Sequence, residues 1–130
     1  MNAPGRLLPS AYCLLYFFAM LDLTRIPWRA TRHRGIHLHF LRRDAATGDA
    51  TVLIRMEPGC PYPAHRHRGA EEVFVLQGGY RDARGLHRAG DYVLNEAGSA
   101  HTPTALTDPA EDCVLLAVAH GGIELVNRES

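Results

Sequence analysis

The chain has 130 residues, of which 46% are hydrophobic, and its formal net charge is zero. This length predicts a single domain that can bury a core without disulfide bonds, and the composition excludes an intrinsically disordered chain. A chain without excess positive charge is not expected to bind nucleic acid, and because the sequence contains no lysine, Schiff-base chemistry and the phosphate-binding lysine of a P-loop are excluded.

The apolar run at residues 11–21 is the first distinctive segment. It is too short to span a membrane as a helix, so no membrane partner is expected. Arg6 precedes it as in a signal peptide, but no Ala-x-Ala cleavage site follows. The run remains open to three interpretations: an additional strand or helix, a weak export signal, or an extension translated from a start upstream of Met20. We expect residues 1–23 to be an N-terminal extension peripheral to the fold, with residues 1–19 dispensable.

The three cysteines, Cys13, Cys60 and Cys113, are odd in number and widely spaced. They predict neither a disulfide framework nor a cysteine-based zinc site, and they indicate a reducing cytoplasm. Cys113 lies in an apolar run and is interpreted as a core residue. Cys60, five residues before His65, is interpreted as a loop residue, with a redox or metal-ligand role as the alternative.

Short strands separated by turns are predicted along the rest of the chain. Alternating apolar residues predict a strand over 36–41, a turn at 47–49 and a return strand over 51–56. Further strands are predicted over 71–77, 92–95 and 113–119. No segment between residues 31 and 119 has a helical period. About eight strands with glycine- and proline-rich turns predict an all-β sandwich or barrel over residues 24–120, followed by a C-terminal tail at 121–130.

Four potential metal ligands lie in two glycine-bounded stretches. His65 and His67 are two residues apart, so on a strand they share a face, and Glu71 returns towards them after a tight reversal. His101 arrives from a later strand. Three imidazoles and a carboxylate predict one divalent metal per chain, zinc first, with iron, manganese or nickel as alternatives.

The remaining histidines lack this context. His37 and His39 have the same spacing as the first pair but no nearby carboxylate, so they are interpreted as residues on a strand face. His33, His87 and His120 are isolated and are interpreted as surface residues.

These spacings resemble the cupin superfamily. Residues 59–78 match its first motif, G-x5-H-x-H-x3-E-x6-G, at every position, and residues 90–101 match the start of the second, G-x5-P-x-G-x2-H. The second motif departs at two places: Glu96 stands where proline is usual, and Ala105 stands where its closing asparagine is expected.

The chain further resembles the cupin domain of ChrR-type anti-sigma factors over about residues 24–119. The stretches that carry this resemblance include Pro63-Ala-His-Arg-His, Glu71-Glu-Val-Phe-Val-Leu-Gln-Gly-Gly-Tyr-Arg-Asp and His101-Thr-Pro. The resemblance implies a double-stranded β-helix, an RmlC-like jelly-roll barrel in one domain, with His65, His67, Glu71 and His101 as metal ligands. It also implies a homodimer, which the apolar residues on both faces of the strand over 71–77 favour independently.

In those anti-sigma factors, an N-terminal helical domain with its own zinc site binds the sigma factor, and the cupin domain is needed for the response to singlet oxygen or related oxidants. The first 23 residues here contain no histidine and only Cys13. Binding of a sigma factor by this chain alone is therefore not expected.

Three functions remain open. The first is a stand-alone sensor or regulatory module of the anti-sigma-factor cupin type, which would respond to an oxidant. The second is an Fe(II)- or Mn-dependent dioxygenase acting on a small chelating substrate, and the third is a barrel that binds a small ligand without turnover. The sequence assigns no catalytic residue; Tyr62, Tyr80 and Glu96 are the available acid-base groups, since Glu72 is predicted to face outward.

Overall fold

The computed structural model describes residues 22–126, which form twelve short strands and one 3-10 helix, Leu23–Arg25, capped by the Asp22 side chain. The strands are, in chain order, β1 Arg29–Ala30, β2 Ile36–Arg43, β3 Ala50–Met56, β4 His65–His67, β5 Glu71–Gln77, β6 Gly79–Asp82, β7 Gly85–Arg88, β8 Tyr92–Asn95, β9 Ala100–His101, β10 Thr104–Ala105, β11 Cys113–Ala119 and β12 Ile123–Leu125.

The strands form one large sheet and two small ones. The large sheet has the order β1-β2-β3-β11-β5-β8, and the small sheets have the orders β10-β6-β7 and β12-β4-β9. All pairs are antiparallel, and β11 lies between β3 and β5, so strands distant in sequence are neighbours. This arrangement confirms the prediction of an all-β cupin jelly roll.

Alternation of side chains places the core on the inner face of the large sheet. In β5 the inward residues are Glu71, Val73 and Val75, and they alternate with the exposed Glu72 and Phe74. The inward residues of β3 and β11 pack with them, and Tyr80 from β6 completes the cluster. Residues two apart on a strand share a face, so the same alternation that buries the valines turns Glu71 inward.

Gly78 moves the chain from the large sheet to a small one. It has a φ of +65°, and a Cβ at this position would lie 2.6 Å from the backbone oxygen of Asp112. Only glycine accommodates both the left-handed backbone and this close approach. The turn leads directly into β6, which carries Tyr80 and Asp82 next to the candidate site.

The barrel continues past residue 120, where the sequence predicted a tail to begin. Gly121 and Gly122 both have positive φ and turn the chain back. Strand β12 then pairs with β4, with Ile123 opposite His67 and Leu125 opposite His65. Part of the segment predicted as a tail thus supports the strand that carries two candidate ligands.

The predictions for residues 1–19 and for the apolar run at 11–21 lie outside the described residues. Within residues 22–126, no helix is long and apolar enough to cross a membrane.

Candidate metal centre

Three histidines converge inside the barrel. His65 and His67 project inward from β4 and are 3% and 1% exposed. His101 lies on β9 directly opposite His65 in the register. One ring nitrogen of each histidine lies within 4.8 Å of those of the other two, and this is the only such group of potential ligands among the described residues.

Each imidazole is oriented by a hydrogen bond from its Nδ1 to an oxygen. The three contacts are His65 Nδ1 to Pro63 O at 2.8 Å, His67 Nδ1 to Ser99 O at 3.0 Å and His101 Nδ1 to Asp82 Oδ2 at 2.9 Å. Carbonyl and carboxylate oxygens only accept, so Nδ1 carries the hydrogen in each ring. In the neutral imidazoles every Nε2 is therefore left with a lone pair, which is the form that binds a metal.

The Nε2 atoms lie so close together that their lone pairs would repel one another if nothing were bound between them. His65 Nε2 and His101 Nε2 are 3.0 Å apart, and His67 Nε2 is buried without a hydrogen-bond partner among the described residues. Two nitrogens bound about 2.1 Å from one ion stand about 3.0 Å apart at a right angle and about 3.4 Å apart at the tetrahedral angle. The cluster therefore fits a shared cation, which would satisfy all three lone pairs.

Burial favours the neutral form of two of these imidazoles, His65 and His67. It lowers the pKa of His65 to about 4, and it is also the main cause of the lowered pKa of His67. A buried imidazolium would be costly next to two other rings. His65 and His67 therefore present lone pairs, not charges, to whatever they bind.

Glu71 lies beside the three histidines but outside their tight group. Its Oε1 is 3.7 Å from His67 Nε2, and the residue is 8% exposed. Burial raises the pKa of Glu71 to about 7. A cation at the histidines would favour the ionised carboxylate, which would then be available as a fourth ligand.

The sequence did not reveal the role of Asp82. Its side chain is 1% exposed and bridges two histidines, with Oδ2 2.9 Å from His101 Nδ1 and Oδ1 2.9 Å from His87 Nε2. Burial opposes the charged form of Asp82, but the hydrogen bonds from His101 and His87 outweigh it and its pKa is lowered. The prediction that His87 is a surface residue was wrong, because its side chain is only 12% exposed.

A signal for Asp82 was present in the sequence. Tyr80 and Asp82 are two residues apart on the strand after Gly78, so they share a face. Tyr80 is 1% exposed, and an acid on the same face as a core aromatic residue is expected to be buried and paired.

Cys60 does not join the candidate ligands. It is partly buried and packs against the hydrophobic core, as does Tyr62. The structure gives no support to Cys60 as a ligand. Tyr62 does approach the cluster, since its ring lies 5.1 Å from that of His65, and burial raises its pKa to about 12.

A cavity of about 740 Å³ opens beside the cluster, and His65, Glu71 and His101 form part of its wall. This volume is within the range of small-molecule sites.

A jelly-roll barrel with inward histidines on one strand pair and an inward glutamate on the strand that follows defines a cupin. The family model of the ChrR cupin-like domain matches residues 18–124, and the chain belongs to this family.

The similar proteins agree with this assignment. The anti-sigma-E factor ChrR of Cereibacter sphaeroides is 38% identical over 71 residues, which are 54% of this chain and 32% of that protein. The chain thus spans about a third of that relative. A chain in the crystal structure of Rhodobacter sphaeroides SigE in complex with the anti-sigma ChrR matches with a TM-score of 0.64 and 25% identity, covering 91% of this chain and 70% of that one.

Two further structures share the fold. An RmlC-like cupin protein from Ralstonia eutropha JMP134 matches with a TM-score of 0.72 and 23% identity, covering 85% of this chain and 73% of that one. An acetylacetone dioxygenase from Acinetobacter johnsonii matches with a TM-score of 0.69 and 15% identity, covering 82% and 76%. At these identities the likeness concerns the fold alone.

Proposed function

We propose that this chain is a metal-binding cupin module with a sensory or regulatory role, and that His65, His67, His101 and Glu71 hold one divalent ion. The observation that carries the proposal is the 3.0 Å contact between His65 Nε2 and His101 Nε2, made while both Nδ1 atoms donate to oxygens. No proton remains between the two Nε2 atoms in the neutral rings, so a cation is the partner that suits them.

The proposed ligands determine the net charge of the metal site. Three neutral imidazoles and one carboxylate around a divalent ion leave a net charge of about +1. When bound, the ion would supply Lewis acidity and open positions for water or a chelating ligand. We propose zinc as the bound metal. Iron, manganese and nickel are alternatives, because imidazole and carboxylate ligands also bind these ions.

The regulatory role rests on the relation to an anti-sigma factor. The matched part of that relative is about a third of its length, so the proposal covers the metal-binding module and not the binding of a sigma factor. As in the sequence-based prediction, an oxidant is the proposed signal. The cytoplasm is the proposed compartment, since the three cysteines are odd in number and widely spaced in the sequence.

The cavity favours a second candidate, an Fe(II)- or Mn-dependent dioxygenase acting on a small chelating compound. An oxygen-activating enzyme needs a metal that faces a substrate-sized space. Here His65, Glu71 and His101 line a cavity of about 740 Å³. A regulatory metal site has no need of such a space unless it also senses a small molecule.

Metal analysis and oxygen uptake together test the two candidates. The protein is purified without added metal, its metal content is measured, and zinc- and iron-loaded samples are compared in an oxygen electrode with β-dicarbonyl compounds. Native zinc and no uptake support the regulatory module. Steady, iron-dependent uptake establishes the dioxygenase, and protein that retains no metal under any loading condition contradicts both.

We also propose a homodimer formed through the outer face of the large sheet. Phe74 and Tyr92 lie opposite each other on β5 and β8 and are 42% and 58% exposed. Leu116 on β11 pairs with Phe74 on its other side, and Leu53 on β3 follows in the same row. A continuous apolar row of this kind is typical of a surface that another subunit covers.

A further inference from the structure

A β-bulge in β2 turns one arginine towards the cavity. The inward residues of β2 are Ile36, Leu38 and Phe40, and strict alternation would next place Arg42 inward. The register with β3 shifts between Phe40 and Arg42, so that Arg43 pairs with the inward Ala50. Bulges commonly redirect a side chain in this way. Arg43 therefore lies at the rim of the cavity, where its guanidinium carbon is 4.5 Å from the centre of the Phe40 ring.

The charge of Arg43 is not neutralised within the described part of the chain. Its neighbour Arg42 contacts Asp44 at 3.9 Å, whereas Arg43 forms no ion pair with residues 22–126. Arg68 also lines the cavity and likewise lacks an ion pair there. The rim thus offers two guanidinium groups without an ion pair among residues 22–126, beside the Asp44 carboxylate that pairs with Arg42, and free guanidinium groups bind carboxylates well.

The wall of the cavity is apolar between this rim and the histidines. The residues that form it come mainly from the inner face of the large sheet and include Leu38, Val52, Ile54, Val73 and Leu115. A hydrocarbon body buried here would be stabilised by about 25 cal/mol per Å² of apolar surface removed from water.

The other side of the cavity offers groups for a ligand oxygen. Tyr80 lines it, is 1% exposed, and its hydroxyl has no hydrogen-bond partner among residues 22–126. His65 and His101 lie on the same wall. The Tyr80 hydroxyl is itself buried, so a carbonyl or hydroxyl oxygen of a ligand would meet the proposed metal ion at His65 and His101 instead.

From these features we infer that the cavity binds a small organic acid, with its carboxylate at Arg43, its apolar body against the sheet, and a carbonyl or hydroxyl oxygen beside the histidine cluster. The inference rests on the proposed function in one respect, since the oxygen end faces the proposed metal ion.

The register sets the length of such a ligand. Arg43, Ala50, Ala119 and Glu71 form one row across β2, β3, β11 and β5. Three strand spacings separate the first residue from the last, about 14 Å along the sheet. An acid of about six carbons, together with the Arg43 side chain, spans this distance.

The experiment uses three keto acids of increasing length as probes, 4-oxopentanoate, 5-oxohexanoate and 6-oxoheptanoate, each beside its neutral methyl ester. Affinities for the metal-loaded full chain are measured by calorimetry, and metal content is measured in the same samples. The variants are Arg43→Gln and its matched control Arg42→Gln.

At least one acid should bind about tenfold more tightly than its ester, and Arg43→Gln should abolish that preference while Arg42→Gln retains it. Equal binding of acid and ester, an unchanged preference in Arg43→Gln, or no binding of any probe to metal-loaded protein would overturn the inference while leaving the metal site intact. A wild-type chain that holds no metal would instead contradict the proposed function.

Discussion

The Oδ2 of Asp82 lies 2.9 Å from the Nδ1 of His101, and the same carboxylate reaches His87 with its other oxygen. Asp82 thereby fixes which nitrogen of His101 carries the hydrogen and turns Nε2 towards the other histidines. A carboxylate behind a metal-binding histidine raises the basicity of the ligand and holds its ring in place. Asp82 is therefore a positioning residue for the proposed metal centre.

Replacing Asp82 should weaken metal binding without removing a ligand. We expect Asp82→Ala to lower the affinity for zinc by about ten- to a hundredfold, the range found when such supporting residues are lost. The affinity is measured by competition with a chromophoric chelator, and the visible spectrum of the cobalt-substituted protein reports the altered geometry. Asp91→Ala is the control, since Asp91 is exposed and accepts only the backbone N–H of Arg88. Equal affinities in the two variants would show that Asp82 does not position the ligand.

Removal of a proposed ligand should have a larger effect. His67→Ala deletes the buried Nε2 that has no partner among the described residues, so we expect metal content to fall well below one ion per chain and the stabilisation by metal to be lost. Elemental analysis and thermal unfolding with and without zinc measure both effects. His39→Ala, which changes a histidine on β2 outside the cluster, should leave both unchanged. A full metal load in His67→Ala would refute the site.

The longer strands could be predicted from the sequence because their side chains alternate. The predicted strands over 71–77, 92–95 and 113–119 coincide with β5, β8 and β11. Strands β10 and β12 contain only two and three residues, too few to show a period, and their pairing with β6 and β4 depends on the closure of the barrel. The C-terminal boundary was therefore placed too early.

Part of the candidate site could likewise be predicted from local sequence spacing, and part of it could not. The spacing of His65, His67 and Glu71 is local, and a turn between two strands is enough to bring these residues together. The link from His101 through Asp82 to His87 depends on two pairings, β10 with β6, which brings the segment after His101 beside Asp82, and β6 with β7. The second pairing is a local hairpin, but the first joins segments distant in sequence. Without the first pairing nothing connects Asp82 and His87 to the ligands, so His87 was interpreted as a surface residue. Arg43 was likewise hidden, because the bulge that turns it inward has no clear sequence signal.

The two described cysteines should differ in reactivity. Burial raises the pKa of the Cys113 thiol to about 12, and the residue is 0% exposed, whereas Cys60 is only partly buried. Alkylation requires the thiolate, so iodoacetamide at pH 8 should label Cys60 in the folded protein and Cys113 only after unfolding. Peptide mapping by mass spectrometry measures both. Labelling of Cys113 at the rate of Cys60 under native conditions would show that β11 is not the buried centre of the large sheet.

The apolar row on the outer face of the large sheet should hold the proposed dimer together. Phe74 is 42% exposed and pairs with Tyr92 on one side and Leu116 on the other. A charge at its centre would be desolvated in the interface without a partner, which is strongly unfavourable. We therefore expect wild-type protein to be a dimer at micromolar concentration and Phe74→Glu to be a folded monomer, as measured by light scattering and circular dichroism. Leu86→Glu is the matched control, because Leu86 is 46% exposed on β7, in a different sheet, and this variant should remain dimeric. A wild-type monomer, or a Phe74→Glu variant that still dimerises, would show that this face is not the interface.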